Sequence, residues 1–546
     1  MQDTLIARAQ AWLAEDPDPD TRAELSALIE AGDEAALAER FAGTLQFGTA
    51  GLRGELGAGP MRMNRSVVIR AAAGLAAHLR ARGQGDGLVV VGYDARYKSA
   101  DFARDTAAVM TGAGLRAAVL PRPLPTPVLA FAIRHLGAVA GVEVTASHNP
   151  PRDNGYKVYL GDGSQIVPPA DAEIAAEIAA VASLHDVPRP ESGWEILDDS
   201  VLDAYLARTD AVLAPGSART ARTVYTAMHG VGKDVVLAAF ARAGFPEPVL
   251  VAEQAEPDPA FPTVAFPNPE EPGAMDLAFA TARKAVPAPD LVIANDPDAD
   301  RCAVAVPDGS GDWRMLRGDE VGALLAAHLV SRGARGTFAE SIVSSSLLGR
   351  IAGAAGLGYE ETLTGFKWIS RVEGLRYGYE EALGYCVDPD GVRDKDGVTA
   401  ALAITELASG LKEQGRTLLD LLDDLAVEHG LHATDQLSVR VADLSVISDA
   451  MRRLRENPPT RLAGLAVTRA EDLSEGTQTL PPTDGLRYTL DGARVIVRPS
   501  GTEPKLKCYL EAVVPVADHA GLPAARARAA ETLTALRTDL ADAAGL

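Results

Sequence analysis

The chain has 546 residues, 47% of them hydrophobic and 23% charged, and a net charge of −23 at pH 7. This length exceeds a single hydrophobic core and predicts a globular protein of three or four domains. The acidic charge argues against nucleic acid or an anionic membrane as a partner, because both would be repelled unless a local basic patch bound their phosphates.

Three cysteines and the N-terminal sequence indicate where the protein works. Cys302, Cys386 and Cys508 lie far apart and fit neither zinc-site spacing nor a disulfide framework, which favours a reducing compartment. The stretch MQDTLIARAQAWLAEDPDPD carries acids early and predicts an amphipathic helix rather than a signal peptide. No stretch is long and apolar enough to suggest a membrane span. We therefore expect a cytoplasmic protein.

Strand and helix patterns alternate from Gly87, beginning with GLVVVGYDARYKS and ending with AVAGVEVTAS. A second round runs from near Arg222 to the strand in DLVIANDPDADR, and a third begins at Asp319. This alternation predicts α/β units with parallel sheets. After about Leu431, segments such as QLSVRVADL and ARVIVRPS indicate a strand-rich α+β unit. We predict four domains, at residues 1–205, 206–310, 311–431 and 432–546.

The stretch VTASHNP places polar residues directly after an apolar strand. Side chains that follow strands of an open α/β sheet gather at its carboxyl edge, where ligands bind. Ser147 is a candidate nucleophile there, with His148 beside it. A serine esterase is disfavoured, because Thr145 and Asn149 occupy the glycine positions of the Gly-x-Ser-x-Gly turn. The alternative is a turn whose polar groups only satisfy the backbone.

Three aspartates, Asp296, Asp298 and Asp300, alternate in NDPDADR after the apolar run DLVI. In extended backbone this spacing sends all three carboxylates to one face, and such like charges favour a bound cation. Oxygen ligands favour a hard ion such as Mg²⁺. An EF-hand calcium loop fails, because Arg301 takes its glycine position and Pro307 its glutamate position. The alternative is a solvated acidic turn.

A basic loop, VIVRPSGTEPKLK, lies between two predicted strands of an acidic chain. Its guanidinium, hydroxyl, amide and ammonium groups match the acceptors of a phosphate monoester. The alternative is a hairpin turn with a basic, solvated flank. The groups belong to Arg498, Ser500, Gly501, Thr502 and Lys505.

Two further motifs are weaker on their own. The stretch GYEEALGY holds Glu380 and Glu381, and LTGFKWIS before it holds Thr364 and Lys367. These side chains form either solvated surface or an edge that binds sugar hydroxyls. The stretch FGTAGLRGELG is a glycine-rich loop around Arg53, to which spacing alone assigns no role.

Together these stretches resemble the α-D-phosphohexomutase superfamily, in particular the branch of bacterial phosphoglucomutases and phosphomannomutases that also contains the animal phosphopentomutase. The motifs FGTAGLRG, VGYDARYKS, TASHNP, DPDADR, TGFKWI, YEEALGY, KDG and RPSGTEPK occur in the family's order between Phe47 and Lys505. The resemblance implies four domains around a central cleft: three similar mixed α/β units and a C-terminal α+β domain like the TATA-binding protein. It also implies a phosphosugar mutase, an intramolecular phosphotransferase of the isomerase class.

The resemblance assigns roles to individual positions. Ser147 would carry the transferable phosphoryl group, and the three aspartates would hold Mg²⁺ together with the phosphate on Ser147. The implied catalytic positions are Ser147, His148, Lys157, Arg53 and Lys395, among which His148, Lys157 and Lys395 are equal candidates for the proton acceptor. The implied substrate ligands are Arg301, Thr364, Gly365, Lys367, Glu380, Arg498, Ser500, Gly501, Thr502 and Lys505.

The implied reaction interconverts the 1-phosphate and 6-phosphate of glucose or mannose, with glucose 1,6-bisphosphate or an equivalent hexose bisphosphate as activator. Two departures bear on the sugar: Ala382 replaces a serine of many members, and Phe366 a histidine of several. A phosphopentomutase acting on ribose or deoxyribose phosphates is the alternative, followed by a magnesium-dependent sugar phosphatase. A sugar-phosphate sensor is disfavoured, because binding alone needs no transferable phosphoryl group. We expect a phosphosugar as the partner, neither nucleic acid nor membrane, and a monomer or small homo-oligomer.

Overall fold

The computed structural model describes residues 2–48, 51–441, 443–500 and 505–546. These residues form two compact units. The first contains the described chain up to Met315 together with Gly384–Ser409, and the second contains Leu316–Leu383 and Gly410–Leu546. None of the helices in the described ranges is long and apolar enough to cross a membrane.

The N-terminal part of the first unit is a sheet with helices, preceded by a helical segment. Its elements are α1 (Gln2–Glu15), α2 (Pro19–Ala31), α3 (Glu34–Arg40), β1 (Leu52–Glu55), α4 (Arg65–Ala81), β2 (Leu88–Tyr93), α5 (Ser99–Gly112), β3 (Arg116–Val119), α6 (Thr126–His135), β4 (Ala140–Val144), β5 (Asp153–Leu160), α7 (Ala170–Ala179), β6 (Glu195–Ile196) and α8 (Ser200–Arg208). The strand order is β1-β5-β4-β2-β3-β6. Strands β2, β3, β4 and β6 are parallel, whereas β5 is antiparallel to β4 and β1 to β5. Strand β4 is buried throughout, as expected for the centre of a covered sheet.

A second sheet completes the first unit. Its elements are β7 (Thr223–Thr226), α9 (Gly232–Ala243), β8 (Val249–Leu250), α10 (Asp276–Lys284), β9 (Leu291–Ala294), β10 (Ala303–Pro307) and β11 (Trp313–Met315). Strands β7, β8 and β9 are parallel, and β10 and β11 extend the sheet as an antiparallel hairpin. The buried apolar strand β9 ends directly before the three aspartates.

The next stretch of chain forms a third sheet with helices. Its elements are α11 (Gly318–Ser331), β12 (Thr337–Ser341), α12 (Leu347–Ala354), β13 (Gly358–Thr362), α13 (Phe366–Ile369), β14 (Leu375–Glu380), β15 (Gly384–Cys386), α14 (Gly397–Glu413) and α15 (Leu418–His429). Within the second unit, β12 pairs in parallel with both β13 and β14. Strand β15 and the beginning of α14 belong to the first unit.

The C-terminal part is an antiparallel sheet covered by helices. Its elements are β16 (Leu431–Arg440), α16 (Ser445–Glu456), β17 (Arg461–Leu462), β18 (Leu465–Asp472), β19 (Leu486–Leu490), β20 (Ala493–Pro499), β21 (Lys505–Val514) and α17 (Leu522–Ala544). The strand order is β16-β21-β20-β19-β18-β17. Along β19, Leu486, Tyr488 and Leu490 alternate with less buried residues and join one apolar core with α16 and α17.

The predicted fold class, three α/β units followed by an α+β unit, is confirmed. The two α/β sheets of the first unit are mixed rather than wholly parallel, because β5 and β10 each return directly from the loop that follows a parallel strand. The first of these loops is TASHNP, between β4 and β5, and the second is NDPDADR, between β9 and β10. Each loop therefore carries residues of the candidate site.

A buried ion cluster joins the third and C-terminal sheets within the second unit. Glu511 on β21 accepts a hydrogen bond from Ser345 Oγ at 2.7 Å and lies 3.0 Å from Arg494 Nη2. Arg494 Nη1 also lies 3.1 Å from Glu361 Oε1 on β13. Burial would raise the pKa of Glu511, but Arg494 and a hydrogen bond from His432 lower it to about 2. Glu511 is therefore ionised over the whole range of ordinary pH.

Replacing Glu511 should weaken this junction in a pH-dependent way. Glu511→Gln is expected to destabilise the protein by about 3 kcal/mol at neutral pH, because it removes a counter-charge from the buried Arg494. The pKa of Glu511 is lower than its ordinary 4.5, so the stabilisation is complete above pH 4.5 and is lost as the pH falls toward about 2. Over this pH range, the thermal midpoint of Glu511→Gln should fall less with acid than that of the wild type.

The control is Glu456→Gln, which removes one of the two exposed partners of Arg452 and should leave the pH profile as in the wild type. An acid profile of Glu511→Gln that matches the wild type would contradict the assignment.

Candidate active site

Ser147 lies in the loop between β4 and β5, in a conformation that aims its hydroxyl at the aspartates. Its φ is +50°, a left-handed conformation that costs a non-glycine residue about 1 kcal/mol or more. Its backbone N–H donates to Thr145 Oγ1 at 2.8 Å, which holds the turn. Ser147 Oγ donates to Asp296 Oδ2 at 2.6 Å and lies 3.2 Å from His148 Nδ1. Ser147 is only 3% exposed, and its hydroxyl bonds the Asp296 side chain rather than the backbone of its own turn, which counts against a turn whose polar groups only satisfy the backbone.

The three aspartates converge as predicted, but through a tight turn rather than an extended backbone. Asp296, Asp298 and Asp300 are fully buried, and each offers an oxygen within 4.8 Å of the others. The turn is closed by a hydrogen bond from Ala299 N to Asp296 O at 2.8 Å, and Ala299 has a φ of +54°. Complete burial contradicts the alternative of a solvated acidic turn.

The oxygens of this cluster fit a hard divalent cation. Asp298 Oδ1 and Asp300 Oδ1 are buried and accept no hydrogen bond from the described residues, although buried polar atoms are usually paired. Burial raises the pKa of Asp296 well above its ordinary value, and the charges of Asp298 and Asp300 raise it further. A cation held by carboxylate oxygens would offset this repulsion, so the donor set suits Mg²⁺.

Two lysines and a threonine contact the aspartates and stabilise their charges. Lys157 Nζ on β5 donates to Asp298 Oδ2 at 2.8 Å and to Asp300 Oδ2 at 3.1 Å. Lys395 Nζ lies 3.2 Å from the same oxygen of Asp300, and Thr126 Oγ1 donates to Asp298 Oδ2 at 2.7 Å. Burial would raise the pKa of Asp298, but the Lys157 ammonium holds it below its ordinary value.

The KDG segment reaches the aspartate turn because it contains a glycine. A Cβ atom on Gly397 would lie 2.3 Å from Arg301 O, so any side chain there would collide with the turn. The preceding Asp394 accepts hydrogen bonds from Tyr159 OH at 2.7 Å and from Lys395 Nζ at 3.3 Å. This close approach explains how Lys395, almost 250 residues after Ser147 in the chain, enters the same cluster.

Two predicted arginines flank the cluster at longer distances. Arg53 on β1 donates from Nη1 to Asn149 Oδ1 at 3.1 Å, next to the serine loop. Arg301 Nε lies 3.7 Å from Asp296 Oδ2 and 3.9 Å from Asp300 Oδ1. Arg53 therefore places positive charge next to the serine loop, and Arg301 places it next to the aspartates.

The remaining predicted residues lie in the second unit. Glu380, at the end of β14, accepts a hydrogen bond from Gly365 N at 2.7 Å, and Thr364 and Lys367 belong to the same half-buried loop. This segment, residues 364–367 at the start of α13 together with Glu380, is the predicted sugar-binding edge and is here called the sugar loop. Phe366, one of the two departures from the family pattern, is buried in α13.

The basic loop of the sequence prediction connects β20 to β21. It begins at Arg498 and Ser500, and Ser500 N donates to Lys505 O at 2.8 Å. Gly501 and Thr502 lie outside the described residues. Burial raises the pKa of Tyr509 on β21, the Glu381 and Glu380 carboxylates raise it further, and Arg498 opposes them. Glu380 and Arg498 thus both act on the pKa of Tyr509.

Thr126 is a site residue that the sequence reasoning missed. It begins α6, after β3 at the same carboxyl edge of the sheet as Ser147. The available signal was a hydroxyl between two prolines, LPTP, at the start of an apolar helix. The signal is weak, because the partner of Thr126 is 172 residues away in the chain.

Models of one protein family match the chain in four consecutive segments. They are described as phosphoglucomutase/phosphomannomutase α/β/α domain I over residues 44–185, domain II over 203–309, domain III over 317–428, and the C-terminal domain over 438–529. Together the four segments cover most of the chain.

Individual relatives agree with this match. A probable phosphomannomutase of Haemophilus influenzae is 51% identical over 460 residues, covering 83% of this chain and 93% of the relative. A probable phosphoribomutase of Schizosaccharomyces pombe is 37% identical, covering 91% and 92%, and the Homo sapiens phosphopentomutase is 34% identical, covering 92% and 90%. The crystal structure of a putative phosphomannomutase from Thermus thermophilus superposes with a TM-score of 0.72 at 27% identity, covering 92% of this chain and 99% of that one. The chain belongs to the phosphoglucomutase/phosphomannomutase family of the α-D-phosphohexomutase superfamily and is a mutase, an enzyme of the isomerase class.

Proposed function

We propose that this enzyme interconverts hexose 1-phosphate and hexose 6-phosphate, of glucose or mannose, through a phosphoserine at Ser147 and a bisphosphorylated sugar. The observation that carries the proposal is the Ser147 hydroxyl, 2.6 Å from one of three clustered, buried carboxylates. The 51% identity to a relative named probable phosphomannomutase supports a hexose as the substrate.

The chemistry requires one serine and two phosphoryl transfers. In the first, the P–O bond to Ser147 Oγ breaks while the free sugar hydroxyl forms a bond to phosphorus, and the serine regains a proton. In the second, the bisphosphate has turned round, and its other phosphoryl group returns to Ser147 Oγ while the sugar oxygen regains a proton. Such transfers depend chiefly on positioning and charge stabilisation.

The charged groups of the cluster have separate tasks. Asp296, Asp298 and Asp300, with a phosphate oxygen on Ser147, would hold Mg²⁺, which when bound neutralises charge on the transferring phosphoryl group. Lys157 orients two of these carboxylates, and Arg53 and Arg301 add positive charge near Ser147. Glucose 1,6-bisphosphate serves as activator, because it restores the phosphoserine when water has removed the phosphoryl group.

The candidates for proton transfer differ in position. His148 Nδ1 lies 3.2 Å from Ser147 Oγ, so it is placed to exchange a proton with the serine oxygen. The sugar hydroxyl attacks in line, from the side of phosphorus opposite Ser147 Oγ, so its proton acceptor stands elsewhere. Burial would lower the pKa of Lys157, but Asp298 and Asp300 raise it, so Lys157 stays protonated. Lys395, whose Nζ lies 3.2 Å from Asp300 Oδ2, is therefore the candidate for that second role.

The sugar loop and the basic loop would bind the rest of the substrate. Glu380 would accept hydrogen bonds from sugar hydroxyls, and Arg498, Ser500 and Lys505 would bind the phosphate that does not react. A loop that binds phosphate by its charge and hydrogen bonds accepts it on either carbon, so the bisphosphate can bind in both orientations.

Phosphopentomutase is the second candidate function. Relatives named phosphoribomutase and phosphopentomutase cover more than nine tenths of this chain at 34% to 37% identity. Ala382 supports the same alternative, because it lacks the hydroxyl that a serine would offer a hexose.

Ser147→Ala should abolish turnover. We expect its rate on the best of glucose 1-phosphate, mannose 1-phosphate and ribose 1-phosphate to fall more than about a thousandfold, because the phosphoryl carrier is gone. The assay contains Mg²⁺ and a trace of glucose 1,6-bisphosphate. The matched control is Ser331→Ala. It removes only the hydrogen bond from Ser331 Oγ to His328 O within α11 and should remain active.

Three other outcomes of this assay discriminate the alternatives. A preference for ribose 1-phosphate would establish the pentomutase. Inorganic phosphate released without isomerised sugar would indicate a phosphatase. Full turnover by Ser147→Ala would contradict the phosphoserine mechanism.

Magnesium should stabilise the folded protein through the three aspartates. At about 100 times its Kd, Mg²⁺ is expected to add about 2.7 kcal/mol of stability, read as a higher thermal midpoint. Asp296→Asn keeps the side-chain size but removes one charged ligand and should lose most of this increase. Asp276→Asn, an exposed acid at the start of α10, should respond like the wild type. An equal magnesium response in Asp296→Asn would count against the site.

A further inference from the structure

We infer that Arg96 is a positioning residue that sets the conformation of the Ser147 loop for phosphoryl transfer. Arg96 belongs to the motif VGYDARYKS, which the sequence singled out without giving this arginine a role. The inference rests on the proposed function, since it assumes that Ser147 carries the phosphoryl group.

The guanidinium of Arg96 binds four backbone carbonyls of the Ser147 loop. Nη2 donates to Ser147 O at 2.5 Å and to Asn149 O at 2.7 Å. Nη1 donates to Pro150 O at 2.8 Å and to Asp153 O at 3.2 Å. One planar group thus connects the two ends of the loop that leads from Ser147 to β5.

Arg96 is itself held in place by its surroundings. The side chain is almost fully buried, and its Nε lies 3.3 Å from Asp94 Oδ2. The other oxygen of Asp94 accepts hydrogen bonds from Arg96 N at 3.0 Å and from Ser99 Oγ at 2.7 Å. The ring of Phe261 lies over the guanidinium, 4.9 Å from Cζ to the ring centre.

This arrangement explains why Ser147 remains in a left-handed conformation. The four carbonyl oxygens meet at one guanidinium. Ser147 O is the buried contact among them, and without a donor there it would lose the hydrogen bonds that it makes with water in the unfolded chain. The guanidinium satisfies all four only when the loop is closed, so it stabilises the conformation in which Ser147 Oγ reaches Asp296. A lysine has a single nitrogen, which cannot span both ends of the loop.

The effect of Arg96 on catalysis is therefore indirect. Its nitrogens contact the backbone of Ser147 and not the hydroxyl, so a loss of Arg96 should misplace the hydroxyl while leaving the sugar loop and basic loop intact. A misplacement on the order of 1 Å can cost about a hundredfold in rate. The expected signature is a lower kcat with an unchanged KM.

The test compares Arg96→Lys with the matched control Arg65→Lys. Arg65 pairs with an aspartate too, donating to Asp105 at 2.7 Å and 2.8 Å, but these hydrogen bonds do not involve the Ser147 loop. For Arg96→Lys we expect kcat to fall about a hundredfold, with KM for the preferred sugar 1-phosphate within about twofold of the wild type. Phosphorylation of Ser147 by glucose 1,6-bisphosphate, followed by intact-protein mass spectrometry, should slow by the same factor. Arg65→Lys should keep the wild-type kcat and phosphorylation rate.

Asp94→Asn provides a second variant in case Arg96→Lys does not fold. It keeps the guanidinium but removes the carboxylate that orients it, and it should lower kcat about tenfold, again without changing KM. A wild-type kcat and phosphorylation rate in any folded Arg96→Lys or Asp94→Asn would overturn the inference and leave the proposed function standing. A wild-type enzyme that turns over sugar phosphates without phosphorylating Ser147 would overturn both.

Discussion

Three carboxylates cannot share a buried space unless positive charge or hydrogen bonds compensate them, and the rest of the candidate site follows from that constraint. Lys157 is supplied by β5, Lys395 by the KDG segment and Thr126 by the start of α6. These elements are far apart in the chain, so the first unit must bring the carboxyl edges of its two sheets together for the cluster to be stable. Mg²⁺ would add to this compensation, and a phosphoryl group on Ser147 would add negative charge that needs it.

The serine loop also has a strained backbone that its surroundings must hold in place. A positive φ at Ser147 is unfavourable for a residue with a side chain, yet it turns the hydroxyl toward Asp296. The hydrogen bond to Thr145 and the carbonyl contacts of Arg96 hold this conformation. Strain at a reactive residue is typical of sites in which positioning supports the chemistry.

The sequence predicted the parts of the site that rest on local patterns. Ser147 and the three aspartates follow apolar strands, so their placement at a sheet edge was accessible from periodicity alone. The turn that brings the aspartates together was not accessible in the same way, because no sequence pattern predicts a left-handed conformation at Ala299. Thr126 and Arg96 were also out of reach, since each acts through partners that only the folded chain brings near. For the same reason the antiparallel returns of β5 and β10 were not predicted from the alternation of strands and helices.

Relatives named probable phosphomannomutase, probable phosphoribomutase and phosphopentomutase each match more than four fifths of this chain, so one family of mutases includes members named for different sugars. The most direct test of the central claim is a single-turnover chase. Enzyme carrying radiolabelled phosphate on Ser147 is mixed with unlabelled sugar 1-phosphate, and the label is followed. We predict that the label leaves Ser147 and appears first in the sugar bisphosphate. Label that stays on the protein during turnover, or that appears as inorganic phosphate, would contradict the phosphoserine mechanism.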